Sequence, residues 1–236
     1  MSDDLSKFLA TRPASAERPL LGLTVLLVED SRFASEAVRL LCLRSGARIR
    51  RADCLRSAHR HLATYRPGVV IVDMGLPDGS GADLIRQIKQ SGPSAPAVLG
   101  LSGDPGKEGE ALAAGADAFM PKPLESLAMF QQAVLAVLPP EERPLGLRVV
   151  ADETVAPDPL ALRDDLTHVA EVLAAKPDRA ALDYIAHFLA GIARSSHDEA
   201  LEAAAEPLGR AETPSSSDLT KLSGIVQARL EAASGF

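Results

Sequence analysis

A run of β-branched residues that ends at an acid constrains the fold of this chain more than any other stretch. Residues 69–72 read Val-Val-Ile-Val, which is typical of a strand buried on both faces of a parallel sheet. Asp73 follows at the carboxyl end of that strand, the edge where ligands bind in open α/β sheets. Residues 76–79, Leu-Pro-Asp-Gly, favour a loop. Taken alone, Asp73 is explained equally well as a cap of the next helix.

Three other predicted strands also end in polar side chains, and they change this balance. Glu29 and Asp30 close the apolar run that begins at Val25, whereas Ser102 and Lys122 close the two later runs. Because the carboxyl ends of parallel strands share one edge of a sheet, these side chains are expected to meet. Adjacent carboxylates repel each other unless a cation is bound, and a few hard oxygen ligands suit Mg²⁺. The sequence therefore predicts a polar site at one sheet edge.

The order of elements between residues 20 and 139 predicts an α/β domain. Five strands alternate with five helices, which indicates a doubly wound five-stranded parallel sheet. The second strand has basic residues at alternate positions, which favours an edge position. The strands are expected at 24–28, 47–52, 69–73, 97–101 and 117–120, and the helices at 32–44, 55–65, 81–90, 107–114 and 124–138.

From about residue 20 to 138 the chain resembles the receiver domain of two-component response regulators. The resemblance rests on the acid pair, on Asp73 with Leu-Pro-Asp-Gly, on Ser102 and on Lys122-Pro123, in this order. It implies a flavodoxin-like receiver in which Asp73 accepts a phosphoryl group from a phosphohistidine donor, either a sensor histidine kinase or a phosphotransfer protein. The resemblance implies four Mg²⁺ ligands: Glu29, Asp30, Asp73 and the carbonyl of Gly75. It also implies that Lys122 pairs with the phosphate, that Ser102 is the switch hydroxyl and that Phe119 is the aromatic switch.

The chemistry of these residue types agrees with the resemblance. An Asp carboxylate can attack a phosphoryl group and hold it as an aspartyl phosphate. A divalent cation and a lysine neutralise the charge on the transferred oxygens. A hydroxyl on the neighbouring strand can bond the phosphoryl oxygens only when they are present.

A second domain is predicted after a proline-rich segment. Residues 1–19 form a polar N-terminal extension, 20–139 the receiver and 140–157 a linker. Apolar residues recur at helical spacing in four segments, 160–175, 179–194, 198–208 and 218–233. Four such helices with short connections favour a four-helix bundle spanning residues 158–236, with Pro177, residues 195–196 and Pro207 as breaks between helices.

One helix of this bundle carries a second candidate site. His187, Gly191 and Arg194 lie along one helix face. Glycine inside a helix costs about 1 kcal/mol relative to alanine, so Gly191 indicates the approach of a bulky group or tight packing against a neighbouring helix. The stretch resembles the histidine phosphotransfer domain, which implies that His187 carries phosphate. The stretch departs from the phosphotransfer pattern at two positions: Ala190 replaces a lysine, and His197 replaces a glycine. Arg194 is expected to supply the positive charge of the missing lysine.

Two functions therefore stay open for the bundle. As a relay, it exchanges phosphate between His187 and an Asp of a receiver, with a separate receiver or other downstream protein favoured as the partner. As a degenerate phosphotransfer fold, it is a docking or dimerisation module controlled by phosphorylation of Asp73. Ala190 favours the second interpretation, and Gly191 with Arg194 favours the first. No ATP-binding segment follows, so kinase activity is not expected.

Charge and composition exclude several other classes. Residues 151–236 contain 15 acids and 7 bases, and such an acidic half argues against a nucleic-acid partner. Cys42 and Cys54 show no metal or disulfide spacing, which favours reduced thiols in a cytoplasmic protein. No signal peptide and no apolar run of about 20 residues are evident, so no membrane partner is expected.

Overall fold

The structure is a computed structural model that describes residues 15, 17–144, 153–175, 177–210 and 215–233. The helical turns predicted within residues 3–11 and the extended piece predicted at 146–150 lie outside the described residues.

A five-stranded parallel sheet forms the first domain, in the strand order β2-β1-β3-β6-β7. Its strands are β1 (Thr24–Val28), β2 (Arg48–Ala52), β3 (Val69–Asp73), β6 (Ala97–Ser102) and β7 (Ala118–Pro121). A short antiparallel pair, β4 (Gly75–Leu76) and β5 (Gly79–Ser80), follows β3. The helices are α1 (Arg32–Ser45), α2 (Leu55–Thr64), α3 (Gly81–Lys89), α4 (Lys107–Ala113) and α5 (Leu127–Val137). The predicted α/β receiver architecture is confirmed, with basic β2 at an edge.

The central strand β3 is buried on both faces, as its sequence predicts. All five of its residues are buried, and helices cover both sides of the sheet. Val69 and Ile71 pack towards α1 and α5, whereas Val70 and Val72 pack towards α3 and α4. Because both faces are packed with aliphatic side chains, the polar residues of the domain collect at the carboxyl edge of the sheet.

The last receiver helix begins later than predicted. It was expected from residue 124, but α5 starts at Leu127, because Ser126 caps it by accepting a hydrogen bond from the Met129 amide (3.3 Å). Residues 125–127 instead pair with the end of the predicted linker: the Leu127 amide donates to the Glu153 carbonyl (2.8 Å). The Val155 amide likewise donates to the Glu125 carbonyl (2.9 Å), and Val155 is buried in the receiver core. The end of the linker is therefore attached to the receiver.

The C-terminal region is helical, as predicted. Its helices are α6 (Pro159–Ala174), α7 (Arg179–Ser195), α8 (Glu199–Arg210) and α9 (Ser216–Ala233), and they share one apolar core. Pro207, predicted to break a helix, instead lies inside α8. Its helix continues one turn further because Leu208 is completely buried in that core, which offsets the hydrogen bond that proline cannot donate.

Candidate functional site

Three carboxylates meet at the carboxyl edge of the sheet. Glu29 follows β1, Asp30 is the next residue, and Asp73 ends β3; one oxygen of each lies within 4.8 Å of the others. Glu29 is fully buried, and only 7% of Asp73 is exposed. The structure thus brings together the acids that the sequence predicts at this edge.

Lys122 lies inside this acid cluster. Its Nζ is 2.7 Å from Glu29 Oε2 and 3.2 Å from Asp73 Oδ2. Burial alone would lower the pKa of Lys122, but the charges of Asp73 and Glu29 outweigh it and raise that pKa, so the lysine is cationic. Lys122 is therefore paired with both Glu29 and Asp73, and its shorter contact is with Glu29.

One backbone amide holds both acids of the pair at the start of α1. The Ser31 amide donates to both Glu29 Oε1 and Asp30 Oδ1, each at 3.1 Å. Burial and the charge of Asp73 raise the pKa of Asp30 to about 6, and the same two causes raise the pKa of Glu29 well above its usual value. The cluster therefore concentrates negative charge in a buried place, which is the condition that a bound cation relieves.

Ser102 and Gly75 also line this site, whereas Phe119 lies beside it. The Ser102 hydroxyl accepts a hydrogen bond from the Asp104 amide at 3.0 Å. Gly75 starts β4, two residues after Asp73. Phe119 is half-buried among the side chains under α4, and its ring lies against Gly100 of β6. These positions are compatible with the switch roles predicted for Ser102 and Phe119.

Helix α7 of the C-terminal region covers the acid cluster. A Cβ atom built on Gly103 would lie 3.3 Å from the Cα of Gly191, and one built on Gly191 would lie 3.7 Å from Lys122 Nζ. The absence of a side chain at Gly191 thus lets α7 approach the phosphate-pairing lysine predicted for the receiver. The sequence indicates that Gly191 admits either a bulky group or a neighbouring helix. In the structure the close neighbour of Gly191 is the receiver.

Tyr184 of α7 contacts the acid cluster directly. Its hydroxyl donates a hydrogen bond to Asp30 Oδ2 at 2.6 Å. Burial and the negative charge of Asp30 raise the pKa of Tyr184, so the phenol stays protonated and donates. A side chain from the second region therefore completes the surroundings of a predicted metal ligand.

Asp165 of α6 binds the first turn of α1. Its carboxylate accepts hydrogen bonds from the Ser31 hydroxyl (2.7 Å), the Arg32 amide (2.9 Å) and the Phe33 amide (3.0 Å). Burial raises the pKa of Asp165, against the lowering effect of these hydrogen bonds. A carboxylate at a helix N-terminus meets both the unpaired amides and the positive end of the helix dipole. Asp165 thus fixes the helical region next to the acid pair.

A cavity of about 540 Å³ remains between the two regions. The receiver contributes the acid cluster, Ser102 and Lys122 to its wall, whereas α7 contributes His187, Gly191 and Arg194. The cavity also reaches Glu199, Glu202 and Glu206 of α8. Both candidate sites predicted from the sequence therefore face one common space.

His187 is exposed on α7, and its ring orientation is defined. Its Nδ1 lies 2.7 Å from the carbonyl oxygen of Asp183, which can only accept a hydrogen bond. In the neutral ring the proton is therefore on Nδ1, and Nε2 has the free lone pair. Arg194, expected to supply the missing lysine charge, instead forms a salt bridge with α8: its Nε is 2.7 Å from Glu202 Oε1.

Sequence reasoning missed Tyr184 and Asp165. Neither belongs to a receiver or phosphotransfer motif, so the motif spacing could not select them. Asp165 is an acid in the otherwise apolar stripe of α6 and is 3% exposed, and such an acid is a signal that a partner is needed. Tyr184 is one of two tyrosines in the chain and lies one turn before His187.

Comparison with known proteins agrees with this geometry. Residues 25–134 match the response regulator receiver domain family. The response regulator MprA of Mycolicibacterium vanbaalenii is 30% identical over 169 residues, which cover 66% of this chain and 73% of that protein. The chain belongs to the response regulator family.

Other relatives match between about half and three fifths of this response regulator. The KDP operon transcriptional regulatory protein KdpE of Escherichia coli is 31% identical over 143 residues, covering 61% of this chain and 59% of KdpE. The virulence transcriptional regulatory protein PhoP of Salmonella typhimurium is 35% identical over 115 residues, covering 47% of this chain and 51% of PhoP. The response regulator thus spans between half and three fifths of these curated relatives.

Solved structures are similar to about half of the chain. A putative response regulator from Chloroflexus aurantiacus has 26% identity and a TM-score of 0.46, covering 49% of this chain and 96% of that one. The chemotaxis response regulator CheY4 of Vibrio cholerae has 25% identity and a TM-score of 0.45, covering 49% of this chain and 98% of CheY4.

Among the described residues of the response regulator, no helix is long and apolar enough to cross a membrane.

Proposed function

We propose that this response regulator accepts a phosphoryl group on Asp73 from a phosphohistidine donor, a sensor histidine kinase or a phosphotransfer protein. The observation that carries the proposal is the contact of Asp73 with Lys122 at 3.2 Å, inside a cluster that also holds Glu29 and Asp30. A carboxylate that attacks phosphorus becomes an acyl phosphate, and the leaving imidazole of the donor takes up a proton. Lys122 stabilises the negative oxygens during that transfer.

A divalent cation fits this cluster. Asp30 and Asp73 would hold Mg²⁺, with the carbonyl of Gly75 as a further oxygen ligand and Glu29 nearby. Their hard oxygen atoms are those that Mg²⁺ prefers, and the buried negative charge of Glu29 and Asp30 calls for a cation. When bound, Mg²⁺ neutralises charge on phosphoryl oxygens. Lys122 alone balances one of three carboxylates.

Labelling by acetyl phosphate tests the assignment of Asp73. Asp73→Asn removes the nucleophilic oxygen but retains the shape of the side chain, so labelling in the presence of Mg²⁺ should be lost while the unfolding midpoint stays close to that of the wild type. Asp104→Asn changes another acid on the wall of the same cavity and should be labelled normally. Full labelling of the Asp73→Asn chain would refute the assignment.

A second candidate function is a relay in which the helical region acts as a phosphotransfer-like four-helix bundle and His187 exchanges phosphate with Asp73 or with a separate receiver. The shared cavity favours this function, because it places His187 and Asp73 on one space. The Nδ1 contact to Asp183 also favours it, since it leaves Nε2 available as the nucleophile. The salt bridge between Arg194 and Glu202 favours the other role of the bundle, a docking or dimerisation module, because it neutralises the charge that a phosphohistidine would need.

The chemical stability of the label separates these two roles. Phosphohistidine is acid-labile and aspartyl phosphate is base-labile, so a relay predicts an acid-labile fraction in the full chain. His187→Gln should remove that fraction and retain the base-labile one, whereas the exposed His168→Gln should change neither. If wild-type label is entirely base-labile with every phosphodonor and receiver supplied, the docking role replaces the relay.

A further inference from the structure

The phosphorylation site proposed above is covered by the protein's own helices. Asp73 is 7% exposed, and Ser102 and Lys122 are each 9% exposed. On the outer side, α7 lies across Gly103 and Lys122, and α6 is attached to the first turn of α1 through Asp165. The same surface, around the carboxyl ends of the strands, is the one through which any donor approaches Asp73.

We propose that α6 and α7 occupy the surface that a protein phosphodonor needs, so that the closed chain admits small phosphodonors to Asp73 and excludes proteins until these helices move away. This inference rests on the proposed role of Asp73 as the phosphoacceptor. It identifies the occupant as α6 and α7 of the same chain, Pro159–Ala174 and Arg179–Ser195, and the excluded partner as a helix that presents a phosphohistidine.

Contact distances exclude an additional helix between α7 and the receiver. The reacting atoms of two proteins must approach to about 3–3.5 Å, and packed helix axes are about 8–10 Å apart. The Cα of Gly191 already lies 3.3 Å from a Cβ built on Gly103, and the Cβ of His187 lies 3.9 Å from one built on Gly75. A phosphohistidine on another protein therefore cannot reach Asp73 unless α7 leaves.

A small phosphodonor meets no such obstacle. The cavity beside Asp73 is about 540 Å³ and opens between α7, α8 and the receiver. This volume lies within the range of about 300–1,000 Å³ that is usual for small-molecule sites. Lys122, 3.2 Å from Asp73 on this wall, is a cation that can meet the phosphoryl group of such a donor. An acyl phosphate or phosphoramidate can thus enter while the helices stay in place.

Two of the contacts that hold the cover in its closed position lie at the acid pair. The Tyr184 hydroxyl binds Asp30 at 2.6 Å, and the Asp165 carboxylate binds three donors at the start of α1. Removing a hydrogen bond to a charged partner changes an equilibrium about tenfold or more. Tyr184→Phe keeps the ring next to Phe188, and Asp165→Asn keeps the side-chain shape, so both favour the open form without removing apolar packing.

Thiol accessibility measures this cover without any phosphodonor. Ser102→Cys places a thiol on the cavity wall in a full chain that also carries Cys54→Ser; Cys42 is retained because it is completely buried. The rate of reaction with methyl methanethiosulfonate reports access for small molecules. The rate with a maleimide attached to a long polymer reports access for bulky ones, and the ratio of the two rates cancels the reactivity of the thiol itself.

The closed chain should react with the small reagent and resist the bulky one. Tyr184→Phe or Asp165→Asn should raise the bulky-to-small ratio about tenfold or more, and the double variant should raise it further. Tyr65→Phe and Asp83→Asn are the matched controls: Tyr65 follows α2, and Asp83 pairs with Arg86 within α3, away from the cover. Both controls should leave the ratio unchanged.

Two results would overturn the inference: a ratio in the closed chain equal to that of the urea-unfolded chain, or a ratio that neither Tyr184→Phe nor Asp165→Asn changes. Circular dichroism of each variant establishes that it is folded, and Tyr184→Phe alone decides if Asp165→Asn unfolds. Because no phosphate is used, failure of Asp73 to accept phosphate from phosphoramidate would refute the proposed function and leave the cover intact. Normal labelling of Asp73, together with unrestricted access of the bulky reagent to the introduced thiol, would refute the cover and leave the proposed function intact.

Discussion

At the scale of single residues, Asp30 connects the chemistry of the site to its stability. It is partly buried, lies beside two other carboxylates and accepts hydrogen bonds from Ser31 and Tyr184. Burial and the charge of Asp73 raise its pKa from 3.8 to about 6. A carboxyl group whose pKa is higher in the folded chain stabilises the fold less as the pH rises, because the unfolded chain ionises more easily.

The first prediction concerns Asp30→Asn. As the pH rises from about 4 to about 6, ionisation of Asp30 should lower the free energy of unfolding of the metal-free wild type. Above pH 6 the whole loss, on the order of 1–3 kcal/mol, should be present. Asp30→Asn should therefore raise the unfolding midpoint of the metal-free chain at pH 7.5. Mg²⁺ should raise that midpoint in the wild type and have little effect in the variant.

Thermal denaturation with and without Mg²⁺ measures both effects. Asp83→Asn changes an exposed acid on α3 and serves as the control, with the wild-type response to Mg²⁺ expected. Equal stabilisation of Asp30→Asn and wild type by Mg²⁺ would contradict the assignment of Asp30 as a ligand.

The sequence predicted most residues of the receiver site because their positions follow from the fold. Strand ends in a parallel sheet share one edge, so Asp30, Asp73, Ser102 and Lys122 could be brought together from the order of strands alone. Tyr184 could not be predicted in this way, since its contact with Asp30 depends on how two separate regions pack. No periodicity within one helix encodes that orientation.

At the scale of elements, the turn between α7 and α8 shows a local conflict between sequence and structure. His197 has a φ of 54°, in the left-handed region where a side chain is strained. The phosphotransfer pattern has glycine at this position, so the pattern itself contained the signal for the turn. His197 also places its Nε2 2.7 Å from Glu125 Oε1 of the receiver.

The second prediction separates strain from contact at His197. His197→Ala and His197→Gly both remove the contact with Glu125, but only glycine adopts this φ without strain. The glycine variant should therefore be more stable than the alanine variant by about 1 kcal/mol. Urea denaturation of the two variants gives the difference, with Ala203→Gly in the interior of α8 as a control that should be destabilised. Equal stability of the His197 variants would show that the turn is not strained.

Boundaries of elements were harder to predict than the elements themselves. The apolar periodicity that predicted α5 from residue 124 is real, but Ser126 can cap the helix and residues 125–127 pair with 153–155. Pro207 similarly looked like a break, whereas burial of Leu208 keeps the last turn of α8. In both places contacts distant in sequence decide where the helix begins or ends.

At the scale of the whole molecule, the position of α7 on the receiver can be tested by covalent trapping. The Cβ of His187 lies 3.9 Å from a Cβ built on Gly75, which is within the usual range for a disulfide. The third prediction is that Gly75→Cys with His187→Cys, in the Cys54→Ser background, forms an intramolecular disulfide on mild oxidation.

Peptide mass analysis under non-reducing conditions detects this bond. The chain with only His187→Cys is the control, because it retains one accessible new thiol and no partner for it. Oxidation of the double variant that yields only bonds between chains would contradict the position of α7.

The contact of Asp165 with Ser31 joins residues that are 134 positions apart. During synthesis the receiver is therefore complete before the helices that cover it exist. At about 5–20 residues per second, the interval between the end of the receiver and the end of α7 lasts several seconds. Each new copy of this response regulator thus begins its existence with its acid cluster open to its surroundings, a state that the finished molecule regains only by displacing its own helices.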